Sequence, residues 1–179
     1  MTAAAQAPQP SRPRHAVLAL GSNLGDRRHN LQRAVDGLLD APGLDLRAIS
    51  PVYQTRPVGG PGQPDYLNAV ITAQTVLPAR AILDRAHDVE DALQRVREVR
   101  WGPRTLDVDL IVVGDEISDD PELTLPHPRA HERAFVLAPW HDIEPDAEIP
   151  GRGRVADLLG AAGLDGVRRA AGNELQPPA

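Results

Sequence analysis

The chain of 179 residues contains no cysteine, which excludes disulfides, a thiolate zinc site and a cysteine nucleophile. It contains no lysine either, so all 19 basic residues are arginine. A Walker-type phosphate lysine and a Schiff-base lysine are thereby ruled out. Aromatic side chains are limited to Tyr53, Tyr66, Trp101, Phe135 and Trp140. No run of about 20 apolar residues is present to span a membrane, and the N-terminal region lacks the apolar core of a signal peptide, so a cytoplasmic protein is expected. The formal charge of −6 and a pI near 5.4 argue against a nucleic-acid or membrane partner held by bulk electrostatics. The length suits one domain with a real core.

What is present begins with residues 1–14, rich in Ala, Pro, Gln and Arg, which cannot bury enough apolar surface to offset their ordering entropy and read as a disordered tail. Residues 15–172 read as the single domain and residues 173–179 as a Pro-containing C-terminal tail. An apolar run at 15–20 reads as a buried strand closed by Gly21-Ser22-Asn23-Leu24-Gly25-Asp26. Leu31, Ala34, Val35, Leu38 and Leu39 then recur at helical spacing, predicting a helix over 26–40. The turn between them could hold an anion at a helix N-terminus or could need glycine only for its backbone angles. Neither GxGxxG nor GxxxxGK[ST] is there.

A strand is expected over 44–53, then a long Pro/Gly-rich loop over 55–65 of the kind that covers ligands. A second strand over 66–73 follows, with Tyr66, Asn68 and Val70 on one face. Tyr beside Asn offers stacking and amide hydrogen bonding to a flat heterocycle, or closes a core edge. Pro78 opens a helix at its first position with Ile82, Leu83, Ala86, Val89 and Leu93 on the apolar stripe and Glu90 on its flank. Residues 115–122 read as an acidic, mobile stretch. Beyond it a short helix or turn over 135–140, a helix over 155–162 and an edge strand over 167–170 complete the chain. His127 and His131, separated by Pro128 and lacking a third ligand, do not make a zinc site.

The stretch that looks built for chemistry is Arg100-Trp101-Gly102-Pro103-Arg104-Thr105-Leu106-Asp107-Val108-Asp109. In a strand, residues i and i+2 share a face, which sets Asp107 and Asp109 about 6–7 Å apart along the chain. Such a pair can be a solvated strand edge or a site for Mg²⁺, which binds through one or two carboxylates plus substrate phosphates. Arginines upstream add donors for phosphate oxygens, the combination used in phosphoryl transfer.

In order and spacing, Gly21-Ser22-Asn23-Leu24-Gly25-Asp26, Ser50-Pro51-Val52-Tyr53-Gln54-Thr55, Gln63-Pro64-Asp65-Tyr66-Leu67-Asn68-Ala69, the run from Arg100 to Asp109, and Leu125-Pro126-His127-Pro128 with Glu132-Arg133-Ala134-Phe135 resemble the 6-hydroxymethyl-7,8-dihydropterin pyrophosphokinase family over about residues 15–169. The resemblance implies transfer of the terminal diphosphate of ATP to the hydroxymethyl oxygen of a reduced pterin, giving the pterin diphosphate and AMP on the route to folate. It also implies an α/β (α+β) three-layer sandwich with a mainly antiparallel, ferredoxin-like sheet and helices on both faces.

By the same resemblance, Asp107 and Asp109 hold two Mg²⁺ ions. Arg95, Arg97, Arg100 and Arg104 contact phosphates, and Arg95 and Arg104 share the catalytic role with the carboxylates. Glu90, Trp101, Leu110, His127 and Arg133 hold ATP. The pterin stacks between Tyr66 and Phe135, with Asn68, Trp101 and the segment Thr55, Pro57, Val58 and Gly59 reading its edge. Two departures accompany this: Pro128 replaces an aromatic hydroxyl found in some members, and Glu98 stands at a basic position of the arginine loop. A monomer is expected. Another Mg²⁺-dependent phosphotransferase or hydrolase, or a non-catalytic pterin or nucleotide sensor on the same fold, are the competing readings.

Overall fold

The computed structural model describes residues 12–57, 62–94 and 105–179. The expectations placed on residues 1–11, 58–61 and 95–104 lie outside them.

The sheet is built outward from β1 (Arg14–Ser22), an apolar strand whose last seven residues are buried. Both of its neighbours are antiparallel: β4 (Tyr66–Thr75) on one side and β5 (Asp107–Val113) on the other. Beyond β4 lie β2 (Leu44–Ile49) and β3 (Tyr53–Thr55), and β10 (Val167–Arg169) pairs with β3 at the far edge. The order is therefore β10-β3-β4-β1-β5, with β2 beside β3 along β4. Together with α1 (Arg27–Leu39) and α2 (Ala79–Gln94), the path is β-α-β-β-α-β. This is the antiparallel, ferredoxin-like arrangement expected.

Alternation along the strands divides the core in two. Ala16, Leu18, Leu20, Leu67, Ala69, Ile71, Val108 and Leu110 pack on α1 and α2 through Leu31, Val35, Leu38, Ile82 and Ala86. Val17, Ala19, Val70, Ile111 and Val112 face the opposite way, onto α3 (Ala134–Ile143) and α4 (Val155–Ala162) through Val136, Leu137, Trp140 and Val155. That gives three layers, with helices on both faces.

Local chemistry sets the boundaries. Asp26 caps α1 by accepting from the His29 N–H at 3.0 Å, satisfying an orphan donor of the first turn. Pro78 falls one residue before α2, and its carbonyl accepts from the Ile82 N–H at 3.3 Å. The strand expected over 44–53 is interrupted at Pro51, which has no N–H to pair. Ser50 fills the gap: its N–H donates to the Val70 carbonyl at 2.9 Å and its Oγ accepts from the Val70 N–H at 2.8 Å.

Two readings need correction. The stretch 115–122, expected to be mobile, carries β6 (Ser118–Asp120), which pairs with β7 (Leu123–Leu125). Arg80 of α2 reaches Asp120 at 3.2 Å and Glu122 at 3.3 Å in solvent-exposed ion pairs. The segment 173–179, expected to be a tail, lies on α1. Leu175 is buried in the core, and Gln32 and Gln176 exchange two hydrogen bonds of 2.8 and 2.9 Å. A further hairpin, β8 (Glu148–Ile149) with β9 (Gly153–Arg154), leads into α4.

Candidate active site

The site grows from the end of β1. Strand register places Gly21 opposite Asn68 on β4 and opposite Asp107 on β5, and places Ala19 opposite Val70 and Asp109. These rows face α3 and α4, and the central strand contributes only small residues to them. The result is a low floor between two taller edges. Gly21 is needed for close approach: a Cβ there would lie 3.0 Å from Asn68 Oδ1 and 3.8 Å from Tyr66 Cδ1. Asn68 cannot easily step aside, because its Nδ2 donates to Thr55 Oγ1 at 2.8 Å and both residues are buried.

Above this floor is a cleft of about 800 Å³ lined by Thr55, Pro57, Tyr66, Phe135, Arg133, Asp107 and Asp109, among others. A second cleft of about 350 Å³ is lined by Glu90, Leu110, His127, Asp107 and Asp109, with Leu83 and His87 of α2 and residues 121–124 beside β5. Among the described residues, only Asp107 and Asp109 line both. Because β5 is the edge strand, its carboxylates border both openings. The residues expected to hold a flat ring thus share one cleft, while Glu90, Leu110 and His127, expected to hold the nucleotide, share the other. Arg133 is the exception, standing on the larger cleft. Asn68 lies beneath the cleft and is not part of its lining. Val58, Gly59, Arg95, Arg97, Arg100, Trp101 and Arg104 lie outside the described residues.

Two cationic or polar side chains stand near Asp109. Arg133 Nη1 lies 3.8 Å from Asp109 Oδ2, and His127 Nε2 lies 3.9 Å from Asp109 Oδ1. Both separations exceed a hydrogen bond. Arg133 is steadied instead by Phe135, whose ring centroid is 5.5 Å from the guanidinium carbon. The His127 backbone N–H donates to the Ile111 carbonyl at 2.8 Å, and its Nδ1 accepts from the Arg129 N–H at 3.2 Å. With Nδ1 accepting, the ring proton sits on Nε2, facing Asp109. Burial holds the His127 pKa below its ordinary value, Asp109 opposes that shift, and Arg133 and Arg129 add to it.

A part-buried bracket stands beside the cleft, with Tyr53 buried and Arg169 exposed. Tyr53 on β3 donates to Asp142 of α3 at 2.5 Å, and Arg169 of β10 reaches Asp142 at 2.9 Å and the Tyr53 hydroxyl at 3.3 Å. Burial and then the Asp142 hydrogen bond push the Tyr53 pKa up. The bracket ties three elements bordering the cleft to one another.

Among the described residues no group of three His, Asp or Glu side chains is placed to hold a metal ion. What the chain offers is a pair of carboxylates on one strand face. That donor set suits a hard cation completing its shell with substrate oxygens, as Mg²⁺ does, and does not suit a structural zinc centre.

Several lining residues carried no signal in the sequence. Arg56 and residues 165–167 form the wall on the β10 side, where no motif falls. Leu83 and His87 could have been found, since both lie one helical turn or two before Glu90 on α2.

Known proteins resemble this chain in sequence and in fold. A family model described as 7,8-dihydro-6-hydroxymethylpterin-pyrophosphokinase matches residues 17–145. The chain is 39% identical over 155 residues to the 2-amino-4-hydroxy-6-hydroxymethyldihydropteridine pyrophosphokinase of Pseudomonas aeruginosa, covering 87% of this chain and 96% of that protein. It is 50% identical over 149 residues to the protein of the same name from Mycobacterium leprae, covering 77% and 76%. The crystal structure of wild-type Plasmodium falciparum HPPK-DHPS with pterin and p-hydroxybenzoate superposes with a TM-score of 0.66 at 12% identity, covering 90% of this chain and 47% of that one. The chain therefore spans about half of that longer protein, and the likeness shows the fold. With the family model spanning most of the chain, this protein belongs to the 7,8-dihydro-6-hydroxymethylpterin-pyrophosphokinase family.

Proposed function

We propose that the protein transfers the terminal diphosphate of ATP to the hydroxymethyl oxygen of 6-hydroxymethyl-7,8-dihydropterin, a step of folate biosynthesis. The new bond joins the hydroxymethyl oxygen to the β-phosphorus. The bond between that phosphorus and the α-β bridging oxygen breaks, AMP leaves, and the hydroxyl proton is released. The observation that carries this reading is that two clefts of different character share, among the described residues, only Asp107 and Asp109. An enzyme that joins a nucleotide phosphate to a second substrate needs such a shared border, since holding two reactants in line supplies much of the rate.

Tyr66 and Phe135 supply aromatic walls to the larger cleft, suited to a flat ring. Asn68 fixes Thr55, which stands at the rim, and Gly21 leaves the floor free of side-chain bulk. Asp107 and Asp109 would hold two Mg²⁺ ions, whose chemistry when bound is to neutralise phosphate charge and acidify the attacking hydroxyl. Arg133 offers guanidinium donors to phosphate oxygens near the pair. Neutral His127 keeps an Nε2–H donor toward the same region. Glu90 and Leu110 line the nucleotide side. The family resemblance assigns further phosphate contacts to Arg95, Arg97, Arg100 and Arg104, and ring contacts to Trp101, Val58 and Gly59. The reading is completed by a monomer acting in the cytoplasm, a compartment that supplies ATP. No helix among the described residues is long and apolar enough to cross a membrane.

The test is product identity. With ATP, Mg²⁺ and the reduced pterin, AMP is expected to appear in equal amount with the pterin diphosphate. ADP in place of AMP, or nucleotide cleavage that ignores the pterin, would contradict the proposal.

A further inference from the structure

The phosphate contacts named so far leave out two described cations of the larger cleft, Arg56 and Arg129. Arg129 lines it together with Asp107, Asp109, Glu132 and Arg133, and is absent from the lining of the smaller cleft. The other arginines of the cleft are each drawn to a carboxylate: Arg56 to Asp165 at 3.6 Å and Arg133 to Asp109 at 3.8 Å. Arg129 has only a backbone bond, its N–H donating to His127 Nδ1, and no described carboxylate holds its guanidinium. Its backbone is nevertheless anchored, because it is followed by the 3₁₀ turn Ala130–Glu132, whose Ala130 is fully buried.

A cation on a fixed base, facing a cleft that holds two carboxylates, has no internal ion pair to break before it meets an anion. Its planar fork matches two phosphate oxygens at once. Position then decides which phosphate it meets. The nucleotide side of the carboxylate pair is the smaller cleft, which Arg129 does not line. The ring side is the larger cleft, where the diphosphate arrives only as it joins the pterin oxygen.

We propose that Arg129 binds the diphosphate on the pterin side of the carboxylate pair, gripping the group as it crosses and after it has crossed. This rests on the diphosphate-transfer reading above. Such a contact is absent for the pterin alcohol and is made in the transition state and the product, the kind of binding that raises turnover rather than substrate affinity.

The test measures equilibrium binding of the pterin alcohol and of its diphosphate, with Mg²⁺ and without ATP, to the wild type and to Arg129→Ala, Arg129→Lys and Arg168→Ala. Arg168 is an exposed arginine of β10 lining neither cleft. Arg129→Ala is expected to weaken the diphosphate about tenfold while alcohol affinity stays within about twofold, the loss of one charge-assisted contact at an open site. Arg129→Lys should recover part of the loss, and Arg168→Ala should move neither ligand. Equal effects of Arg129→Ala on both ligands, or none on the diphosphate, would overturn the assignment. A wild type that makes no AMP would instead overturn the diphosphate-transfer reading, so the two failures are separable. Unchanged thermal melting of the variants, expected for an exposed side chain, shows that the fold is intact.

Discussion

Gly21→Ala is the smallest change that probes how the cleft floor is built. The added methyl would sit 3.0 Å from Asn68 Oδ1, a few tenths of an ångström inside comfortable contact. Asn68 could yield only by giving up its 2.8 Å bond to Thr55, inside a pair that is about 5% exposed at each residue. Overpacking of this kind costs about 1–3 kcal/mol, and loss of one buried hydrogen bond lies in the same range. For a domain of this size about 1 kcal/mol lowers Tm by roughly 2–4 °C, so thermal melting should fall by several degrees. Thr55 and Tyr66 border the disturbed spot, so KM for the pterin should rise several-fold while KM for ATP, whose proposed cleft lies beyond β5, stays near wild type. Asn68→Ala costs stability alone, but in the Gly21→Ala background it removes the clash, so the two effects should combine to less than their sum. Additive losses, or an unchanged melt and pterin KM in Gly21→Ala, would refute the claim that Asn68 is pinned against this glycine.

Ser50→Ala should remove the acceptor of the buried Val70 N–H and lower stability by about 1–3 kcal/mol, read by denaturant unfolding, with steady-state activity at saturating substrates preserved. The Glu144 carboxyl is pushed up by burial, but hydrogen bonds from His15 and Trp140 outweigh this and hold its pKa below the ordinary value of 4.5. Its stabilising contribution is therefore present above the unfolded-state value and lost as pH falls through the lower folded one; Glu144→Gln should flatten that acid limb in melts taken across it, and an unaltered limb would count against the assignment. Tyr53 titrates higher than usual because of burial and Asp142. Its contribution is present below pH 10 and lost as pH rises through the folded value, so Tyr53→Phe should shrink the alkaline loss of stability.

Much of the fold was legible because its signals are local. Strand and helix periodicities located β1, α1, β4, α2 and α4, and the two-residue repeat put Asp107 and Asp109 on one face before any coordinates. Tyr66 and Phe135 stood out because aromatics are so few. What escaped depended on partners distant in the chain. The interruption of the 44–53 strand requires Ser50 to replace a ladder bond on Val70. The 118–125 hairpin meets Arg80 of α2, and residues 173–179 meet Gln32 of α1; none of these pairings leaves a periodic trace. The edge strand expected over 167–170 is present as β10, but the wall formed by residues 165–167 is mostly the turn before it, where no periodic pattern falls. Gly21 was legible as a turn signal, yet its reason is the close approach of Asn68, which only strand register reveals. Arg129 lies between two recognised motifs and was hidden by the abundance of arginine in the chain.

The central claim is that Asp107 and Asp109 join two clefts rather than serve either alone. Its most direct test is Asp109→Ala, assayed for AMP formation and, in the same preparation without metal, for pterin binding. The account predicts turnover lowered by at least about a hundredfold, as for loss of a principal electrostatic group, with cooperative melting intact and pterin affinity near wild type. Retained Mg²⁺-dependent turnover, or loss of pterin binding together with activity, would contradict it.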